Sequence, residues 1–148
     1  MENKVQNYVS ITKLSKERQP EVFEKEGKGY FYTHHGAQAC VIYNGDAMCY
    51  LGYVELAPMR SRGNHFHNKK HENICVISGK IKAKFVLPDN CDDIYETELE
   101  QGDIVHINPG CAHSFFSQTG ASLIEYSAEK YEIKDTIRYS FYWNDEIL

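Results

Sequence analysis

The residues best suited to chemistry fall in two short stretches, Gly63-Asn64-His65-Phe66-His67-Asn68-Lys69-Lys70-His71-Glu72 and Pro109-Gly110-Cys111-Ala112-His113. Along a strand, residues i and i+2 point to one face, so His65 and His67 present both imidazoles to the same side. A polar turn then reverses the chain, and Glu72 opens the next strand with its carboxylate folded back toward the two rings. After the Pro109-Gly110 turn, His113 begins a further strand with a third imidazole. Three ring nitrogens and one carboxylate suit a borderline ion such as Fe, Mn, Ni, Co or Zn, and suit Ca or Mg poorly. The expectation is one divalent transition metal held by His65, His67, Glu72 and His113.

Other candidates carry less chemistry. His71 adjoins Glu72, but strand alternation aims it the other way, toward an exposed turn. His106 lies in a strand close to His113, as a partner to the site or as a surface residue, and the sequence does not choose. His34-His35 precede Gly36 in an expected exposed loop. Arg60 and Arg62 flank the first stretch, where planar guanidinium forks could bind phosphate. The doublet Lys69-Lys70 reads as a solvated turn. Five cysteines are scattered without a CxxC pair, and an odd count argues against a disulfide framework. They read as mostly buried thiols.

The elements that must position these groups are short strands. Candidates run over 39–43, 48–56, 73–77, 81–87, 95–99, 104–108, 113–117 and 122–126. Turn chemistry separates them at Asn44-Gly45-Asp46, Ser78-Gly79-Lys80, Pro88-Asp89-Asn90, Gln101-Gly102-Asp103 and Pro109-Gly110. The 11 Tyr and 7 Phe suit half-buried sheet surfaces. Many short strands at regular spacing predict an all-β sandwich or barrel. Residues 1–30 read as an N-terminal arm with one strand near Tyr8–Ile11. Residues 31–148 read as a single domain, with its core over about 40–127 and a tail over 128–148. A chain of 148 residues can bury a core without staples.

Composition excludes some classes. The net charge is −5, with 21 acidic against 16 basic residues, and no basic block offers a footprint for nucleic acid. No apolar run approaches the roughly 20 residues that span a bilayer. The amino terminus is charged where a secretion signal needs an apolar run, so the expectation is a cytoplasmic protein without membrane partners. Small barrels have edge strands that need covering. The aromatic tail Tyr139-Ser140-Phe141-Tyr142-Trp143 and the arm offer apolar surface, and a homodimer is expected.

The two stretches resemble the motifs of the cupin family. The first motif is G-x5-H-x-H-x(3,4)-E-x6-G, matched by His65, His67, Glu72 and Gly79, although Gly63 lies too close to His65 to be its leading glycine. The second is G-x5-P-x-G-x2-H-x3-N, met by Gly102, Gly110 and His113. Its proline has moved to Pro109, and Ser117 replaces the asparagine. The resemblance implies a double-stranded β-helix, or jelly-roll barrel, with the metal inside. Cupins host isomerases, epimerases, dioxygenases and binding modules, so the fold alone names no reaction.

Arg62-Gly63-Asn64-His65-Phe66-His67 is similar to a stretch of nucleotide-sugar 3,4-ketoisomerases and related polysaccharide-biosynthesis cupins. The tail Glu125–Tyr131 and Asp135–Tyr139 looks like the same group's ending. That resemblance implies an isomerase or epimerase of a nucleotide-linked sugar, with His65 and His67 in the active site and one of them moving protons; Glu72 and His113 complete the expected catalytic set. Arg62 and Arg60 would then bind the substrate. The ketoisomerases generally work without metal and carry a lysine after the second histidine. Here Asn68 stands in that place and Glu72 completes a ligand set, so a metal-assisted reaction is expected. The alternatives are an Fe(II)-dependent dioxygenase and a non-catalytic small-molecule-binding cupin.

Overall fold

A computed structural model describes residues 4–13, 29–32 and 38–147, with the backbone alone described at 29–32 and 38. His34 and His35 lie outside the described residues. A 3-10 turn (Lys4–Tyr8) leads into β1 (Val9–Thr12), followed by β2 (Gly29–Tyr32), β3 (Gln38–Val41), β4 (Tyr50–Leu56) and β5 (Arg60–His67). Then come β6 (Glu72–Gly79), β7 (Ile81–Leu87), β8 (Asn90–Leu99), β9 (Ile104–Ile107), β10 (Ala112–Ser117), β11 (Ala121–Ser127) and β12 (Thr136–Arg138). A second 3-10 turn, Ile133–Asp135, precedes β12. Two five-stranded antiparallel sheets result, ordered β1-β9-β6-β11-β4 and β12-β5-β10-β7-β8, with β2 and β3 paired separately. This is the all-β double-stranded β-helix expected of a cupin. No helix among the described residues is long and apolar enough to cross a membrane.

Period-2 alternation explains how the interior is divided. Ile74 and Val76 of β6, Val54 and Leu56 of β4, Leu123 of β11, Phe85 of β7 and Phe115 of β10 share one buried apolar cluster. Two residues along the same strands, the inward series turns polar: Glu72 precedes Ile74, Glu125 follows Leu123, and His113 precedes Phe115. One end of the barrel is therefore a packed floor and the other a polar mouth. Burying a Leu-, Ile- or Phe-sized side chain contributes roughly 1.5–3 kcal/mol, so the floor supplies the stability that a polar mouth cannot.

Three expectations need correction. The N-terminal arm is, over residues 4–12, part of the barrel: β1 pairs with β9, and Val5 is fully buried in the core. Local polarity hid this, because the decisive contacts are with residues about 100 positions away in sequence. The tail also supplies structure to its own barrel. β12 pairs with β5, Trp143 stacks on Phe116 at 5.2 Å between centroids, and its indole N–H donates to Ser114 Oγ at 2.9 Å. Trp143 thus covers its own sheet and offers no apolar surface to a partner. Of the five free cysteines, Cys75 and Cys111 are buried, Cys40 is half-buried, and Cys49 and Cys91 are exposed. Burial pushes the Cys75 and Cys111 thiols up to about 12, which keeps them protonated and unreactive.

Candidate metal centre and its cavity

The site is built on a kink in β5. The register between β10 and β5 slips between His113 and Ser114, with His113 opposite His65 and Ser114 opposite Gly63. Asn64 is the extra residue, as in a bulge. Gly63 has φ +93°, and a Cβ there would stand 2.8 Å from the His113 carbonyl oxygen, so only glycine fits. Asn64, at φ 57°, is also left-handed, and its side-chain oxygen accepts from Ser114 Oγ at 2.8 Å. The bulge re-aims the strand so that His65 and His67 both face the mouth.

There the expected ligands meet. Ligand atoms of His65, His67 and Glu72 lie within 4.8 Å of one another. Glu72 Oε2 is 3.9 Å from His65 Nε2, 3.8 Å from His67 Nε2 and 2.6 Å from His113 Nε2. His113 thus brings its ring nearest to the carboxylate. Glu72 Oε2 and the Nε2 atoms of His65 and His67 are buried without a hydrogen-bond partner. Buried polar atoms are normally satisfied, and several left bare at one point match a ligand set for an ion.

The remaining ring nitrogens fix the tautomers. His67 Nδ1 donates to the Asp135 carbonyl at 3.0 Å, and His113 Nδ1 donates to the Cys111 carbonyl at 3.1 Å. With the proton held on Nδ1, Nε2 of His67 presents a lone pair, the arrangement that backs metal-binding histidines, whereas Nε2 of His113 lies against the Glu72 carboxylate. Burial lowers His67 below the ordinary imidazole value despite the pull of Glu72. Burial also opposes charge on His113, but Glu72 beside it prevails and raises that ring. Burial acts to raise Glu72 as well; His113, His65 and Lys70 outweigh it and hold the carboxyl well below the usual range.

A cavity of about 460 Å³ opens over His65, His67 and Glu72, while His113 lies behind Glu72 and does not line it. Arg62 lines it, as expected, but Arg60 does not; its guanidinium donates instead to the Ile147 carbonyl in the tail. His71 and His106 do not line it; their ring nitrogens are 3.3 Å apart, and His106 also bonds Asn73 and Asn108. Sequence reasoning missed several lining residues: Lys70, Tyr50, Glu125, Tyr131 and Arg138. Lys70 was expected in a solvated turn. It is buried instead, with Nζ 3.8 Å from Glu72 Oε1 and 4.1 Å from the Tyr50 ring centroid. The signal for Glu125 was alternation, since it lies two residues beyond the core residue Leu123.

A jelly-roll barrel with a histidine and glutamate cluster in its mouth defines a cupin. The profile of the polysaccharide biosynthesis C-terminal domain family matches residues 46–136. The chain belongs to that family. No curated protein matches it in sequence. Among solved structures it is similar to QdtA, a sugar 3,4-ketoisomerase from Thermoanaerobacterium thermosaccharolyticum in complex with TDP (20% identity, 88% of each chain, TM-score 0.65). It is also similar to the capsular polysaccharide assembling protein CapF from Staphylococcus aureus (24% identity, TM-score 0.59). That match covers 64% of this chain and 27% of CapF, so the chain spans about a quarter of that protein. A third similar structure is ChmJ, a 3'-monoepimerase from Streptomyces bikiniensis in complex with dTDP-quinovose (11% identity, TM-score 0.67). It covers 88% of this chain and 69% of ChmJ.

Proposed function

We propose that the chain is a metal-dependent isomerase or epimerase of a nucleotide-linked keto-sugar. The observation that carries this reading is the set of bare, buried ligand atoms of His65, His67 and Glu72 at the floor of a cavity that Arg62 and Arg138 also line. His65, His67, Glu72 and His113 would hold one divalent transition ion, which when bound would supply a Lewis acid next to the substrate carbonyl. The guanidinium forks of Arg62 and Arg138 suit a pyrophosphate, and Lys70 adds a further positive charge by the ligands. Likeness to QdtA, a ketoisomerase in complex with TDP, and to ChmJ, an epimerase in complex with a dTDP-sugar, supports the substrate class.

Arg62→Ala should weaken binding of a nucleotide-linked keto-sugar about 10- to 100-fold, the worth of one lost charge-assisted fork, while metal content stays intact. Glu72→Gln should lose metal first. Calorimetry with TDP-4-keto-6-deoxyglucose, alongside elemental analysis, reads both. A panel of such sugars giving neither binding nor product removes the proposal, and oxygen consumption with a small substrate would put the dioxygenase in its place.

A further inference from the structure

Any isomerisation or epimerisation next to a carbonyl needs a group that takes a proton from carbon and gives it back. The imidazoles of His65, His67 and His113 converge on Glu72, and a ring whose lone pair binds an ion is a poor base. Two carboxylates line the cavity, Glu72 and Glu125. Glu72 belongs to the ligand cluster. Glu125 does not: it projects from β11, on the strand next to β6, with Gly52 of β4 opposite it. Its Oε2 accepts from the Tyr50 phenol at 3.4 Å, a long bond that leaves the carboxylate able to take a proton. Gly52 keeps the space in which that phenol lies, because a Cβ there would come within 2.8 Å of Tyr50 Oη.

We infer that Glu125 is the proton-transfer residue of this cavity and that Tyr50 positions it, an assignment resting on the keto-sugar reading above. Its carboxylate takes the proton from the carbon beside the substrate carbonyl. The C–H electron pair becomes a C=C bond, and the carbonyl π pair moves to oxygen, giving an enolate. Delivery of a proton from solvent to the opposite face of the same carbon completes an epimerisation, with the abstracted proton passing from Glu125 to water. If the neighbouring hydroxyl proton first moves to the enolate oxygen, return to the former carbonyl carbon completes an isomerisation. The buried Lys70 ammonium stands on the same wall, where it favours the negative oxygen. Burial and the charge of Glu72 push the Glu125 carboxyl above the usual range, against Lys70, His113 and His65. Burial and Glu125 likewise raise the Tyr50 phenol, which keeps its proton on the bond to Glu125.

The experiment follows deuterium entering TDP-4-keto-6-deoxyglucose from deuterated water by proton NMR, using metal-loaded protein. Glu125→Gln keeps the shape but cannot accept the proton. It should bind the sugar within about threefold of the unaltered chain while exchange falls at least about 100-fold. Glu125→Asp should recover part of that exchange. Melting curves and metal content establish that each variant is folded and loaded. Exchange at the unaltered rate in Glu125→Gln overturns the role of Glu125 and leaves the keto-sugar reading standing. Absence of both binding and exchange in the unaltered chain overturns that reading and the assignment with it.

Discussion

His67 carries two instructions in one ring. Its Nδ1 is fixed by a main-chain carbonyl of residue 135, and that alone decides that Nε2 points bare toward Glu72. The i, i+2 spacing of His65 and His67 and the placement of Glu72 at the head of β6 were legible, because strand alternation depends only on local sequence. Lys70 was not legible. A lysine beside another lysine in a polar turn reads as solvated, and only the folded cavity shows that Tyr50 and Tyr131 form its walls. The metal expectation belongs at this scale. One divalent ion per chain should be found by elemental analysis, and His65→Ala and His113→Ala should each cut occupancy severely. Ligand imidazoles must be neutral, so affinity should fall as pH drops toward and below about 6, where free histidine takes up a proton. Full occupancy in both variants would place the ion elsewhere.

Elements position these residues through contacts that the sequence does not advertise. The carboxylate of Asp135, buried at the start of β12, accepts from the backbone N–H groups of Asn68, Lys69 and Lys70 at 3.0 Å each. The turn that swings Glu72 back toward His67 is thus held by a residue from the far end of the chain. The eight strand candidates were readable from alternation and turn residues. The tail strand was not, because its three residues Thr136–Arg138 carry no periodic signal and pair only once β5 is in place. The bulge at Gly63-Asn64 was equally hidden, as its need for a left-handed backbone arises from the approach of β10. Asp135→Ala leaves three N–H donors without their acceptor, that of Lys70 buried, and should cost about 1–2 kcal/mol of stability. It should also weaken metal binding about 10-fold, as loss of an outer support commonly does. Chemical denaturation and competition with a chelator read the two effects. Unchanged metal affinity would show that the turn holds its shape without Asp135.

For the whole molecule, the consequence of folding the tail back is that Trp143 no longer argues for a partner. Lys84 Nζ caps its ring at 4.1 Å and also donates to the Tyr142 carbonyl at 2.7 Å, so the indole is held internally while the Tyr142 side chain stays exposed. Apolar surface lies instead on β4, the outermost strand of its sheet among the described residues. Leu51 and Tyr53 are 66% and 63% exposed there, opposite Tyr126 and Ile124 of β11. An edge strand with large apolar side chains invites pairing, and a second copy with two-fold symmetry meets that need with one self-complementary patch. We therefore propose that the chain is a homodimer joined through β4 rather than through its tail. Light scattering at micromolar concentration should give twice 17.1 kDa. Leu51→Arg combined with Tyr53→Glu should bring the mass down to 17.1 kDa and leave metal content unchanged, because neither residue lines the cavity of the proposed ligands. A mass of 17.1 kDa for the unaltered chain would show that β4 is an edge the barrel tolerates alone.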